Sequence, residues 1–550
     1  MRIIIVLMSA LIAGTAYSCL SSSDSKEVQG EKNDYVIDIS QQPILAGRNE
    51  TEMVTITFPV TDHPDKQLSL KSINLKFTRE SRIENLESIK AYFLNGSESS
   101  LKQLFGENDK PSFSNKIDGQ FPLSDSVNIV IICFDPAENI DLTAGLVIES
   151  ISMSLSDRTK ISLQIPQGKN IIRSGQVLRA AGQDNCDTYR IPGLITTNAG
   201  TLIAVYDNRY KRSKDLQEDI DIGMSRSTDV GNSWEPMKVI MDMGEYGGRP
   251  EDLNGTGDPC VLYDHNSNTI WVAALWMSGA STDLMLWNAS QPGMTPEKTG
   301  QFLLVKSTDD GVTWSDPINI TEQIKDPSWQ LLLQGPGRGI TTSDGTLVFP
   351  AQFKTDIGEP AIDGGQYTCH STIVWSSDGG TTWKIGTGAV SNTTEAQVVE
   401  LTDGVLMLNM RDDLNRKEKG VINGRAVAVT KDLGKTWVVH PTSNSALPEP
   451  NCMASLISAD LYVDGVKKRV LFFSNPDNKN TRSNMTIKAS VNEGLTWPEK
   501  YQLEIYEPEG YGYSCMTMVD EKTVGILYEG SKELYFQLIP VSDILKGLKF

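Results

Sequence analysis

Ser227-Thr228-Asp229-Val230-Gly231-Asn232-Ser233-Trp234 recurs as Ser307-Thr308-Asp309-Asp310-Gly311-Val312-Thr313-Trp314 and as Ser376-Ser377-Asp378-Gly379-Gly380-Thr381-Thr382-Trp383. It returns as Thr430-Lys431-Asp432-Leu433-Gly434-Lys435-Thr436-Trp437 and, with Asn for Asp, as Ser490-Val491-Asn492-Glu493-Gly494-Leu495-Thr496-Trp497. The Trp residues that close the copies lie about 55 to 80 positions apart, a period that fits one four-stranded blade per copy and therefore a β-propeller. Within each copy the Asp carboxylate accepts backbone N–H groups across a tight turn. The Gly supplies a φ > 0 position, and the Trp pins the hairpin to its blade. These carboxylates are structural, so they are set aside as candidates for catalysis. At about 60 residues per blade, the stretch 175–550 holds six blades.

Upstream the texture changes. From 35 to 170 the chain alternates apolar and polar residues in short runs, among them Val54-Thr55-Ile56-Thr57-Phe58 and Ile73-Asn74-Leu75-Lys76-Phe77, separated by polar turns. That pattern predicts a β-sandwich, and the expected fold class is all-β throughout. The sandwich shows no cluster of Arg, His or carboxylates; it reads as a packing or spacer module, with carbohydrate binding as the functional alternative. Arg2, the apolar run Ile3 to Ile12 and the small residues up to Ser18 read as a secretory signal peptide over 1–18. Ala16-Tyr17-Ser18-Cys19 resembles a degenerate bacterial lipoprotein box, in which Cys19 takes the lipid and 19–34 becomes a tether. The expected location is therefore outside the cytoplasm: periplasmic, surface-anchored or secreted.

Composition narrows the chemistry. The 550 residues carry 70 Asp plus Glu against 50 Lys plus Arg, a formal charge of −20 that argues against nucleic acid or an anionic membrane surface as partner. An anionic ligand must be caught by a local cluster of Arg. The four His residues, His63, His265, His370 and His440, are not at metal-ligand spacing, so neither a metal nor another cofactor is expected. Six Cys besides Cys19 are scattered without a CxxC pair and read as buried thiols.

The octapeptides resemble the Asp boxes of the sialidase superfamily. Boxes alone also occur in propellers without activity, but Tyr189-Arg190-Ile191-Pro192 resembles the Arg-Ile-Pro signature that opens sialidase catalytic domains. The similarity covers roughly 175–550, and the whole chain resembles secreted bacterial exo-α-sialidases of glycoside hydrolase family 33, of the Bacteroides type. That resemblance implies a role for each of several residues. The substrate carboxylate is held by three Arg residues from different blades, here Arg190, Arg411 and Arg482, with Arg209 as a further pocket Arg. Tyr513 in Gly512-Tyr513-Ser514 is the nucleophile, Glu395 its base and Asp215 the acid. Glu529 in Leu527-Tyr528-Glu529 buttresses the first Arg. Asp258 in Gly257-Asp258-Pro259 contacts the sugar, and Gln334 is a weaker candidate. Tyr511, Glu400, Asp219 and Asp221 are the rivals by position. Ser514 after Tyr513, the Glu-x-Gln-Val pattern at Glu395 and the strand leading to the first box favour the assignments given.

The residue types suit such chemistry. Arg is permanently cationic and bidentate toward carboxylate. Sialic acid carries its carboxylate on the anomeric carbon, so a neutral Tyr avoids the repulsion an attacking carboxylate would meet. A phenol with an ordinary pKa near 10 needs a base, which is the part given to Glu395. Asp215 must donate a proton, so its pKa is expected above the usual 3.9. The resemblance implies hydrolysis of terminal α-linked sialic acid from sialylated glycans by a monomeric enzyme, through a retained tyrosyl intermediate. Transfer to another sugar, intramolecular release of an anhydro-sugar, and a binding-only propeller are the alternatives.

Overall fold

Alternating apolar residues form strands wherever the sequence places them between turns, and strands account for nearly all regular structure. The computed structural model describes residues 35–58, 68–95, 101–124, 127–215, 218–279, 286–362 and 365–550. The signal-peptide and Cys19 readings lie outside these residues.

The N-terminal module is a pair of antiparallel sheets. One runs Val36–Ile39, Thr51–Phe58, Asn128–Pro136, Leu86–Asn95 and Gln103–Asn108 in spatial order. The other runs Lys160–Leu163, Leu146–Leu155, Ser69–Phe77 and Ser114–Pro122. Their inner faces bury Ile56, Phe58, Ile73, Leu75, Phe93, Phe134 and Met153 in one core.

Six further sheets form the propeller. The first blade is Thr188–Thr196, Leu202–Arg209, Ile220–Ser227 and Lys238–Met241. The second contains Asn254–Asp264, Thr269–Ser278, Gln301–Ser307 and Ile318–Asn319, and the third Leu331–Gln334, Leu347–Thr355, Thr368–Ser376 and Lys384–Ile385. The fourth is Thr393–Glu400, Leu406–Asp412, Ala426–Thr430 and Val438–Val439; the fifth is Ser455–Val463, Val466–Pro476, Met485–Ser490 and Gln502–Tyr506. The sixth takes Ser514–Asp520, Thr523–Glu529 and Leu534–Pro540 from the end of the chain, and Ser174–Arg179 from before the first blade. Ser174–Arg179 pairs antiparallel with Leu534–Pro540, which closes the ring with strands from its two ends.

The octapeptides join the third and fourth strands of the first five blades. In the first, Ser233 N–H and Oγ–H donate to the two oxygens of Asp229 at 2.9 and 2.6 Å, and Gly231 N–H donates to Ser227 Oγ at 2.8 Å. The Gly also seats each box on the blade before it. A Cβ on Gly231 would meet the Phe536 ring of the sixth blade at 2.3 Å, and one on Gly380 would meet Trp271 of the second blade at 2.4 Å. Trp234 likewise stacks edge-on against Phe536, so the box fastens blade to blade rather than only hairpin to blade. After the sixth blade's third strand the short helix Val541–Ile544 stands where a box would be.

The two modules share an interface. Ile44–Ala46, inside the segment read as sandwich, adds in parallel to Ser174–Arg179 and so belongs to the sixth blade. Leu142 is buried among Leu178, Tyr189, Leu534 and Phe536, and Arg173 pairs with Asp543 at 2.8 Å. The six Cys of the described residues form no disulfide and are buried.

This packing can be tested at two points. Gly380→Ala, at φ +83° and against Trp271, loses about 2 kcal/mol or more of stability in denaturant titration; a loss under about 0.5 kcal/mol contradicts the seating role of that glycine. A chain begun at residue 171 bares the sixth blade's outer strand and melts well below a chain begun at residue 35; equal melting points would show that the modules fold independently.

Candidate active site

The innermost strands of the blades line the propeller axis, and three of them are interrupted where they reach one end of it. Pairing shifts register between Arg190 and Gly193, between Gly257 and Cys260, and between Thr393 and Ala396. Such bulges re-aim side chains, and Pro192 and Pro259 sit in two of them, where an absent N–H breaks no ladder. Ile191 and Asp258 take positive φ of 59° and 57° at these places. A pocket of about 300 Å³ opens there, lined by Ile191, Asp215, Asp258, Glu395, Arg411 and Tyr513, with Met277, Trp287, Gln352, Thr394 and Arg416 completing its walls.

Tyr513 is the centre of the arrangement. Its hydroxyl donates to Glu395 Oε1 in a short hydrogen bond, while Arg411 Nη1 donates to Glu395 Oε2 at 2.6 Å and to Tyr513 Oη at 3.1 Å. The Arg190 and Arg482 guanidinium carbons lie 5.1 and 5.6 Å from the Tyr513 ring centre. Three guanidinium groups from the first, fourth and fifth blades thus converge on a phenol from the sixth. Burial, then the neighbouring Glu395, push the Tyr513 pKa well above 10, outweighing Arg411 and Arg482, so the phenol is neutral at physiological pH. Gly512, at φ +84°, lets the chain pass within 2.9 to 3.3 Å of Pro476, Arg482 and Cys452 where a Cβ would stand. The turn also sends Tyr511 elsewhere: its ring lies under Arg190 at 4.7 Å and its carbonyl accepts from Arg482 at 2.9 Å.

Glu529 is 1% exposed and holds the first and sixth blades together. It accepts from Arg190 Nε at 3.0 Å, Ile191 N–H at 2.9 Å and Tyr513 N–H at 2.9 Å. Arg209, fully buried, donates to Asp207 at 2.8 and 3.1 Å, to Ser213 O at 2.7 Å and to Asp215 Oδ1 at 2.8 Å. Arg190 Nη1 donates to the same Asp215 oxygen at 3.2 Å. Asp215 is 58% exposed at the pocket mouth. Its pKa is not raised, contrary to the expectation for a free acid catalyst. Removal from water favours the neutral acid, but the adjacent Arg209 and Arg190 outweigh it and hold Asp215 at about 2. Asp258 presents its carboxyl to the pocket, with its N–H on Asp207 Oδ1 at 2.9 Å and its carbonyl accepting from Gln334 Nε2 at 2.5 Å. Burial, then Asp207 and Glu395, raise the Asp258 pKa well above 3.8.

The rivals lie apart from this cluster. Glu400 accepts from Ser343 N–H and Oγ at 2.8 and 2.7 Å on another part of its blade, and Asp221 accepts from Tyr210 Oη at 2.8 Å. Asp219 is absent from the pocket walls. Sequence reasoning missed Asp207, which orients Arg209, and Asn451, which accepts from Arg411 Nη2 at 2.9 Å. It also missed the buried Arg425–Glu449 pair behind the fourth blade, 2.7 Å apart. Only the resemblance carried residue-level signal, and these positions lie outside the motifs that make it.

The family described as "BNR repeat-like domain" matches residues 200–526. A sialidase of Bacteroides fragilis is 47% identical over 429 residues, covering 78% of this chain and 76% of its own. A sialidase of Micromonospora viridifaciens is 30% identical over 369 residues, covering 66% of this chain and 53% of its own. Among solved structures, the Hadza microbial sialidase Hz136 superposes with a TM-score of 0.82 at 38% identity, over 92% of this chain and 99% of that one. The intramolecular trans-sialidase of Ruminococcus gnavus, at 19% identity and a TM-score of 0.54, shares the fold.

Glu529→Gln removes the charge facing a buried guanidinium and should lower unfolding free energy by about 3 kcal/mol. A change below about 1 kcal/mol in denaturant titration would show that Asp215 alone neutralises Arg190.

Proposed function

This chain belongs to the sialidase family, and from that premise we propose that it removes terminal α-linked sialic acid from glycans through a covalent tyrosyl intermediate. It is an exo-α-sialidase, and its substrates are sialylated glycans. The observation that carries the mechanism is the hydrogen bond from Tyr513 to Glu395 beneath three converging Arg residues.

The substrate carboxylate docks on Arg190, Arg411 and Arg482, which places the anomeric carbon over Tyr513 Oη. The phenol is neutral and attacks as its proton passes to Glu395 Oε1, while Arg411, which also donates to Tyr513 Oη, stabilises the negative charge that develops on that oxygen as the proton leaves. A second carboxylate in the place of Tyr513 would meet the substrate's own charge at bonding distance. The glycosidic oxygen leaves with a proton from Asp215. That proton is available only when Asp215 loses its hold on Arg190. A docked substrate carboxylate both occupies Arg190 and adds a like charge, and each effect raises the Asp215 pKa. Asp215 then takes the proton of a water that attacks the anomeric carbon, the bond to Tyr513 Oη breaks and Glu395 returns its proton to the departing phenolate, with net retention. Asp258, whose carboxyl faces the pocket, contacts the sugar.

The remaining assignments are proposals of the same kind. The leader-like 1–18 and the lipoprotein-like Cys19 support export and a lipid anchor. The shared sixth-blade sheet supports a scaffold role for the N-terminal module rather than glycan binding.

Tyr513→Phe should lower kcat on a fluorogenic aryl α-sialoside by about 10³-fold or more, with sialic acid affinity little changed; turnover within about tenfold of the parent removes Tyr513 as nucleophile. On a natural sialoglycan, the kcat plateau should reach higher pH than that of kcat/KM, because Asp215 stands at about 2 in the free protein and higher once substrate is docked. Coincident alkaline limbs would refute that coupling.

A further inference from the structure

A second cavity lies on the propeller axis at the end away from the pocket. Its walls include Thr196, His265, Arg338, Ser458, Thr517 and Met518, and with Ile340 and Val399 they draw on all six blades. Along the innermost strands the two sites are separated by four or five residues, Ile191 against Thr196 and Tyr513 against Thr517, which at about 3.3 Å per residue is roughly 15 Å. Ile191, Cys452, Met453 and Tyr513 pack together between them and plug the channel. This second mouth, of about 190 Å³, is therefore separate from the catalytic chemistry.

Arg338 is the unusual group there. It follows Gly337 on a short strand that lies parallel to Asn254–Asp264. Its Nη1 donates to Met516 O at 3.2 Å and to Thr517 Oγ1 at 3.3 Å. Its buried Nε has no hydrogen-bond partner among the described residues. Arg190, Arg209, Arg226 and Arg425 each face a carboxylate within 3.0 Å, whereas Arg338 forms no ion pair among the described residues. Burial lowers its pKa, and the only groups that act against this are the thiols of Cys515 and Cys260. In a chain of charge −20, a half-buried guanidinium that no carboxylate approaches is a positive site in a negative field. The Thr196 and Thr517 hydroxyls are bonded to each other at 3.1 Å, which leaves one of their two hydrogens, with that of Ser458, to turn inward as a small anion requires.

We propose that this mouth of the channel binds a small inorganic anion, a halide or a tetrahedral oxyanion, on the Arg338 guanidinium. The anion supplies the counter-charge the fold omits and ties the inner strands of the third and sixth blades, joined already through Nη1. The site is structural rather than catalytic and does not depend on the mechanism proposed above.

Bromide is the probe. In crystals of the full chain soaked in bromide, anomalous scattering should show an ion within hydrogen-bond distance of Arg338; bromide on Arg190, Arg411 or Arg482 with none at Arg338 overturns the proposal. In solution, bromide replaces gluconate at constant ionic strength. The parent's Tm should rise saturably, by about 3 °C more than that of Arg338→Met, which keeps the catalytic Arg cluster and reports its share. In gluconate alone, Arg338→Met should be at least as stable as the parent, because an uncompensated buried charge has been removed. Equal bromide responses in the two proteins overturn the proposal. If the variant does not fold, the diffraction experiment on the parent decides.

Discussion

Glu529 lies out of reach of water and carries a charge that three donors from two blades share. Arg190 and the Ile191 N–H come from the first blade, and the Tyr513 N–H belongs to the sixth. A carboxylate in that position cannot shift without leaving a buried charge unpaired, so the first and last blades are locked in relative register at the point where Arg190 and Tyr513 meet. The other pocket residues are placed from this junction. Arg411 reaches Tyr513 from the fourth blade, Arg482 from the fifth, and Asp215 reaches Arg190 from the loop after the first blade's second strand. Fixing Tyr513 and Arg190 therefore fixes the axis around which the clamp is built.

Charge in the pocket is layered rather than balanced pair by pair. Arg411 serves Glu395 and Tyr513 at once, and Arg190 serves Glu529 and Asp215. Arg190 lies between Glu529 behind it and Asp215 at the pocket mouth, Arg411 between Glu395 and Asn451, and Arg482 donates to the carbonyls of Tyr511 and Asn451, a spread of contacts that a planar fork of donors allows and an ammonium does not. Asp215 held at about 2, Asp258 raised by burial and Tyr513 kept neutral show three acids of one pocket driven in different directions by their neighbours. An acidic chain can thus hold a cationic clamp because Glu529 behind it and Asp215 and Glu395 in the pocket wall pair with Arg190 and Arg411.

Much of this was legible in the sequence because repeats are. Five octapeptides with Gly at the left-handed position gave the blade count, since their turn geometry is local and the same each time. The ring closure was not legible: Ser174–Arg179 joins a strand some 360 residues away, and nothing in either segment's alternation names its partner. Ile44–Ala46 crossed the expected module boundary for the same reason, because three apolar residues fit either sheet. Tyr513, Glu395, the clamp and Glu529 were reached through motif resemblance, which transfers identity but not environment. Hence Asp215 was found while the direction of its pKa was not: the two Arg residues that lower it are adjacent only after folding. Asp207 and Asn451 act by orienting Arg side chains, and no motif marks them.

The order of strands in the sixth blade also bears on biosynthesis. Ser174–Arg179 is made early, and its neighbour Leu534–Pro540 emerges among the last residues of the chain. Until then the ring is an open arc with an unpaired strand edge at each end, and for most of that time Tyr513 and Glu529 have not yet been synthesised. Contacts of such long sequence separation form slowly and late. A chain cut short before Tyr513 therefore lacks both that phenol and the Glu529 clasp, so no such truncated product can hold a partial version of the pocket. The pocket arrives as a single event once the sixth blade's two distant segments have met.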